Sequence, residues 1–165
     1  MSSNTQISQT NQTNKTVLLF ELGQHKYSLP FHVVDEILPA VELLPVPGSH
    51  YAMEGLLDVR GEIIPVLALS TLLNVAARPI SYTDHLIILN LNAQRFAIRV
   101  DRACELTNMA ESNSQNGAKI PFCGSLVARI DRHNGDRVTS LEPEGLSQML
   151  NQVSSSQSGT HSKGN

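Results

Sequence analysis

The chain has 165 residues, 41% of them hydrophobic and 16% charged, which is enough apolar sequence for one ordinary folded domain. Lys plus Arg number 12 and Asp plus Glu 15, so the formal net charge of -3 gives no bulk attraction to a phosphate backbone and argues against nucleic acid as a partner. The low charge excludes global disorder, and no apolar run is long enough for a membrane span.

Residues 1–15 are rich in Ser, Thr, Asn and Gln and lack the apolar stretch of a secretory signal. They read as a disordered tail, as do residues 151–165, and the expected compartment is the cytoplasm. Val17 to Leu22 and His25 to Pro30 form a hairpin about Gly23 and Gln24, and His32 to Leu38 is a third extended run. The prolines of PAVELLPVPG, at 39, 45 and 47, rule out a helix and suit an edge strand plus loop. Gly55 to Val59 and Ile63 to Leu67 flank a turn at Arg60-Gly61, and Ser70 to Asn74 reads as one helical turn capped by Ser70. The plan then repeats. Leu86 to Leu91 is apolar, Asn92 to Gln94 is a turn, and Phe96, Ile98 and Val100 alternate with Arg95, Ala97 and Arg99. Cys104 to Thr107 extends the pattern, and a polar loop runs from Thr107 to Pro121. Ser125 to Ile130 and Arg137 to Leu141 flank His133, Asn134 and Gly135 as a hairpin, and Glu144 to Leu150 reads as a short closing helix.

The halves superpose at an offset of 69, without a gap from Leu18 on Ile87 through Tyr27 on Phe96, Val34 on Ala103 and Ile37 on Leu106 to Gly55 on Gly124. The expected fold is mainly β: two tandem five-stranded SH3-like β-barrels related by a pseudo-twofold, with few short helices and a groove between them. Residues 16–150 make the domain, with lobe one at about 16–80 and lobe two at about 84–150. Residues 16–75 hold two basic and seven acidic residues, a net of -5, and residues 93–140 hold seven and five, a net of +2. Lobes of opposite charge can orient a partner head to tail.

No residue pattern supports chemistry. There is no G-x-S-x-G elbow and no phosphate loop, and the six histidines lack ligand spacing; Asp131 and His133, two apart, do not make a metal site. Cys104 and Cys123 read as free thiols. No enzyme activity, cofactor or metal is expected.

One segment, GLLDVRGEIIPVLALSTLL from Gly55 to Leu73, resembles the signature of CheW-like domains. VLLFELGQHKYSLPFHVVDEIL resembles that family's opening hairpin and third strand, FAIRVDRACEL its second-lobe strand, and SLVARIDRHNGDRVTSLEPEGL its closing hairpin. The ordered match runs over about residues 16–150. It implies two interlocked barrels. It implies an adaptor coupling the cytoplasmic tip of methyl-accepting chemoreceptors to the regulatory domain of a CheA-type histidine kinase, at membrane-associated receptor clusters, without insertion into the membrane. By position, the resemblance assigns Val34, Glu36, Arg60 and Ala103 to the receptor side, and Met53, Leu56 and Asp58 to the kinase side. The competing reading is ordinary core for Val34 and Leu56, and a turn arginine bonding its own loop for Arg60. Asp58 stands where the family has Asn, and Ala68-Leu69-Ser70 where it has Asp-Leu-Arg. These departures leave an alternative, a divergent adaptor of a type IV pilus or other accessory signalling system.

Overall fold

The computed structural model describes residues 14–110 and 126–157. Ten strands and two helices follow in order: β1 (Asn14–Leu22), β2 (His25–Pro30), β3 (Val34–Pro39), β4 (Met53–Val59), β5 (Glu62–Leu67), α1 (Leu69–Leu72), β6 (His85–Leu91), β7 (Gln94–Val100), β8 (Arg102–Ala110), β9 (Val127–His133), β10 (Asp136–Leu141) and α2 (Pro143–Gln157). A 3-10 turn, Phe31–Val33, takes the start of the third extended run. The 39–48 segment adds only an isolated bridge, Leu44 to Leu56, where an edge strand was expected. The helical turn of α1 starts at Leu69, and Ser70 does not cap it.

The strands form two five-stranded sheets, ordered β8-β1-β2-β10-β9 and β3-β6-β7-β5-β4, here called the β1 sheet and the β6 sheet. Every position in one order has its repeat counterpart in the other. The sheets do not follow the contiguous lobes 16–80 and 84–150. Each takes its first hairpin from one repeat and its other three strands from the other, through parallel pairs β2–β10 and β5–β7. The repeats therefore interlock, and neither closes its sheet alone.

Register fixes the equivalence residue by residue. Val34 pairs with Leu89 and Ala103 with Phe20, so the offset of 69 holds through the third strand. It fails afterwards. Val59 pairs with Glu62 across the β4–β5 turn and His133 with Asp136 across the β9–β10 turn, an offset of 74. Gly55 thus corresponds to Arg129 and not to Gly124, and Gly124, like Cys123, lies outside the described residues.

Alternation along the strands sends side chains to a shared centre on one face and to a separate interior behind each sheet on the other. Leu18, Phe20, Tyr27 and Leu29 of the β1 sheet meet Ile87, Leu89, Phe96 and Ile98 of the β6 sheet in one shared central cluster. Behind the β6 sheet, Leu57, Val59, Ile64, Val66, Leu86, Ile88 and Ala97 form a second cluster. Behind the β1 sheet, the buried apolar cluster among the described residues is the smaller set Val17, Leu19, Met109 and Val138. Helix α2 puts Leu146, Leu150 and Val153 into the central cluster and runs on to Gln157, past the expected end at Leu150. Among the described residues, no helix is long and apolar enough to cross a membrane.

Candidate functional site

The seven residues assigned to partners fall on three strands and one turn. Val34 opens β3, an edge strand of the β6 sheet, and packs half-buried against the central cluster. Ala103 is its counterpart on β8, the matching edge strand of the β1 sheet. Glu36 lies on β3, and Arg60 reaches it from the β4–β5 turn with Nη2 2.8 Å and Nη1 3.3 Å from the two carboxylate oxygens. Arg60 therefore bonds across 24 residues rather than within its own loop. That hydrogen bond and the Glu36 charge raise the Arg60 pKa.

Arg60 holds a backbone conformation that its side chain does not favour. It has φ 51 and Gly61 φ 87, the pattern of a type I′ turn, while the equivalent turn at β9–β10 uses Asn134 and Gly135, with φ 50 and 86. Asn tolerates the left-handed region far better than a long side chain does. The arginine kept there is three-quarters exposed and directs its ion pair with Glu36 at the surface.

Met53, Leu56 and Asp58 are all on β4. Met53 packs on the central cluster. The backbone of Leu56 exchanges hydrogen bonds with Leu44, at 2.8 and 2.9 Å, so at this position the edge of β4 offers its side chain and not a free amide. The Asp58 carboxylate accepts the Gly61 N–H at 2.8 Å and shapes the turn that presents Arg60. The two assigned faces therefore meet at one turn.

Sequence reasoning missed several neighbours. Arg95 on β7 bonds Asp35, at 2.7 Å, and Glu62, extending the Glu36–Arg60 pair into a surface charge cluster. Its counterpart in the β1 sheet is Lys26 with Asp136, at 2.5 Å. This contact raises the Lys26 pKa and lowers that of Asp136. Ile37 and Leu106, counterparts on the two edge strands, are 37% and 51% exposed. The signal was the repeat itself, because the matched pair is apolar in both copies although its strand face is solvent-exposed.

A second charge cluster sits at one end of the β6 sheet. Asp84, with its side chain wholly buried, accepts Arg78 (2.5 Å) and Arg99 (2.9 Å), and Arg99 also bonds Glu54 (2.5 Å). Burial raises the Asp84 pKa, but the bonds from Arg78, the Ser81 N–H and Arg99 outweigh it and leave it lowered. Burial pushes Glu54 up against the pull of Arg99. Among the described residues, no group of three or more His, Cys, Asp or Glu side chains is placed to hold a metal ion.

The sequence pattern of the CheW-like domain matches residues 16–150. A chemotaxis protein CheW from Treponema pallidum is 23% identical over 114 residues, covering 67% of each chain. One from Thermotoga maritima is 30% identical over 60 residues, 36% of this chain and 40% of that one. The crystal structure of the scaffolding protein TtCheW from Thermoanaerobacter tengcongensis superposes with a TM-score of 0.71 at 22% identity, over 78% of this chain and 89% of that one. That likeness bears out the mainly β, tandem SH3-like fold. With a match across nearly all of the described fold, the chain belongs to the CheW-like domain family.

Proposed function

We propose that this chain is a non-catalytic coupling scaffold of a chemosensory array, joining the cytoplasmic tip of chemoreceptors to the regulatory domain of a CheA-type histidine kinase. It works from the cytoplasm at receptor clusters. The observation that carries this reading is the pair of edge strands, β3 and β8, each with an apolar position at its start and an exposed apolar residue three places on: Val34 and Ile37, Ala103 and Leu106. Apolar side chains on two symmetry-related edges suit the paired helices of a receptor tip. Arg60, held by Glu36, adds a planar fork for a carboxylate or backbone carbonyl beside them. On the kinase side, Met53, Leu56 and Asp58 present the β4 face to a domain of like architecture. Binding energy alone organises such an assembly, so no reacting group is required.

The second reading, an adaptor of a pilus-linked system, is favoured by Asp58, which replaces the family Asn and is spent on capping its own turn. Binding of the two partner fragments tests the first. Arg60→Glu sets like charges against Glu36 and should weaken receptor-tip binding about tenfold, with kinase-domain binding retained. Unchanged affinity for both fragments would show the site assignment to be wrong.

A further inference from the structure

The two sheets differ most at one end. In the β6 sheet that end is plugged from within. Arg99 on β7 bonds Asp84 and Glu54, and Arg78, from the segment after α1, bonds Asp84 and Asp101. The space left beside Arg78, Arg99 and Asp101 is about 50 Å3. In the β1 sheet the counterparts of Asp84, Arg99 and Glu54 are Lys15, Pro30 and Ala128, which cannot rebuild the ion-paired plug. Among the described residues, no counterpart of Arg78 arrives either. The chain turns back after α1 at Asn74, with φ 56, whereas α2 continues as a helix to Gln157. The outcome is a cavity of about 310 Å3 whose walls include Lys15, Pro30 and Ala128.

Its walls carry charges of both signs. Arg129 replaces the glycine of the other repeat. Its Nε donates to the Asp131 carboxylate at 2.6 Å, and that carboxylate also accepts the Ser140 hydroxyl at 3.0 Å. Ser28 completes the chain, 2.9 Å from Ser140. One edge of the Arg129 guanidinium is therefore fixed, while its two terminal nitrogens make no hydrogen bond among the described residues. Lys15 forms no ion pair among the described residues. Glu142, just before α2, and Glu144, in its first turn and accepting the Asn92 amide at 3.3 Å, line the same space.

We propose that this cavity is a binding site for a small zwitterion of amino-acid size, its carboxylate taken by Arg129 and Lys15 and its ammonium by Glu142 and Glu144. A guanidinium held at one edge keeps its fork ready for a carboxylate at little entropic cost. A cavity lined by both signs is best neutralised by a molecule carrying both, and about 310 Å3 falls at the small end of ligand sites. In the other repeat, the protein's own arginines and carboxylates fill the matching place. The inference is independent of the receptor and kinase reading.

The full chain is titrated with L-serine and with L-arginine, and with propionate and ethylamine as single-charge controls, while backbone amide shifts are followed. At least one amino acid should bind saturably with a Kd below about 1 mM, with shifts centred on Ser28, Arg129, Ser140 and Glu142. Propionate and ethylamine should each bind at least about tenfold more weakly. Arg129→Gln disturbs the Asp131 network, so the deciding variants are Lys15→Gln and Glu142→Gln on the walls. Each should weaken the amino acid about fivefold or more, and Arg132→Gln, exposed on the same strand, should leave it unchanged. The proposal is overturned if neither amino acid saturates by about 20 mM, if propionate binds equally well, or if both wall variants bind like the parent.

Discussion

Behind the β6 sheet, Leu57, Val59, Val66 and Ala97 pack together as apolar core. Behind the β1 sheet the same four positions are Asp131, His133, Ser140 and Ser28. The strand order is nevertheless identical under the repeat. What both sheets keep is the face turned toward the centre: Leu18 and Ile87, Phe20 and Leu89, Tyr27 and Phe96, Leu29 and Ile98. The fold is held where the sheets meet, and that leaves each outer interior free to diverge. One became a sealed apolar layer with an ion-paired plug, and the other a hydrogen-bonded polar network beside an open cavity.

The plug offers the hardest test of that difference. Asp84→Asn leaves Arg78 and Arg99 short of a buried partner and should lower unfolding free energy by about 3 kcal/mol, while Lys15→Gln at the equivalent position changes it little. The Asp84 pKa is lowered in the folded state. Its stabilisation is therefore present above the ordinary carboxylate range and is lost as pH falls through the folded value. Denaturant titrations of parent and Asp84→Asn should accordingly converge on acidification; a constant gap would break the assignment. Glu54, raised by burial, acts in the opposite sense, its contribution present in acid and lost as pH rises.

A smaller pair of effects comes from exchanging the interiors. Ala97→Ser buries a hydroxyl among apolar side chains and should cost about 1–2 kcal/mol. Ser28→Ala leaves Ser140 bonded to Asp131 and should cost less than about 1 kcal/mol. Equal costs in urea denaturation would mean that the two interiors are not chemically distinct. The smallest effect is at the turns. Arg60→Asn copies the Asn134-Gly135 turn and should raise Tm by about 2 °C while weakening partner binding, whereas a lowered Tm would mean that Arg60 is there for the fold.

Most of this architecture was legible in residue patterns. Alternation marked the hairpins, and Gly and Asn marked the turns. The exchange of strands between repeats came from the family resemblance alone, which implied interlocked barrels, because hairpin patterns carry no record of the parallel pairs β2–β10 and β5–β7 that join them. The match of Gly55 with Gly124 fails because that glycine happens to stand 69 residues on, while the shared turn geometry sets Gly55 against Arg129. The end of α2 was misread because NQVSSSQ looks like tail. Serine disfavours helix interiors, yet Val153 is fully buried, Asn151 accepts a 2.7 Å bond from Gln94, and the Ser154 hydroxyl returns to the Leu150 carbonyl. At the candidate site, position alone pointed to Arg60 and Glu36. Arg95, Asp35 and Glu62 were out of reach, since ion pairs between strands distant in sequence depend on the sheet order.

Reconstitution separates a coupling scaffold from a bystander. Chemoreceptor assemblies and a CheA-type kinase are combined with and without this chain, and phosphotransfer is measured as receptor ligand is added. Kinase activity should respond to the receptor only when the chain is present, and the response should be lost with Arg60→Glu. Kinase activity that follows the receptor equally well without the chain would contradict the coupling role.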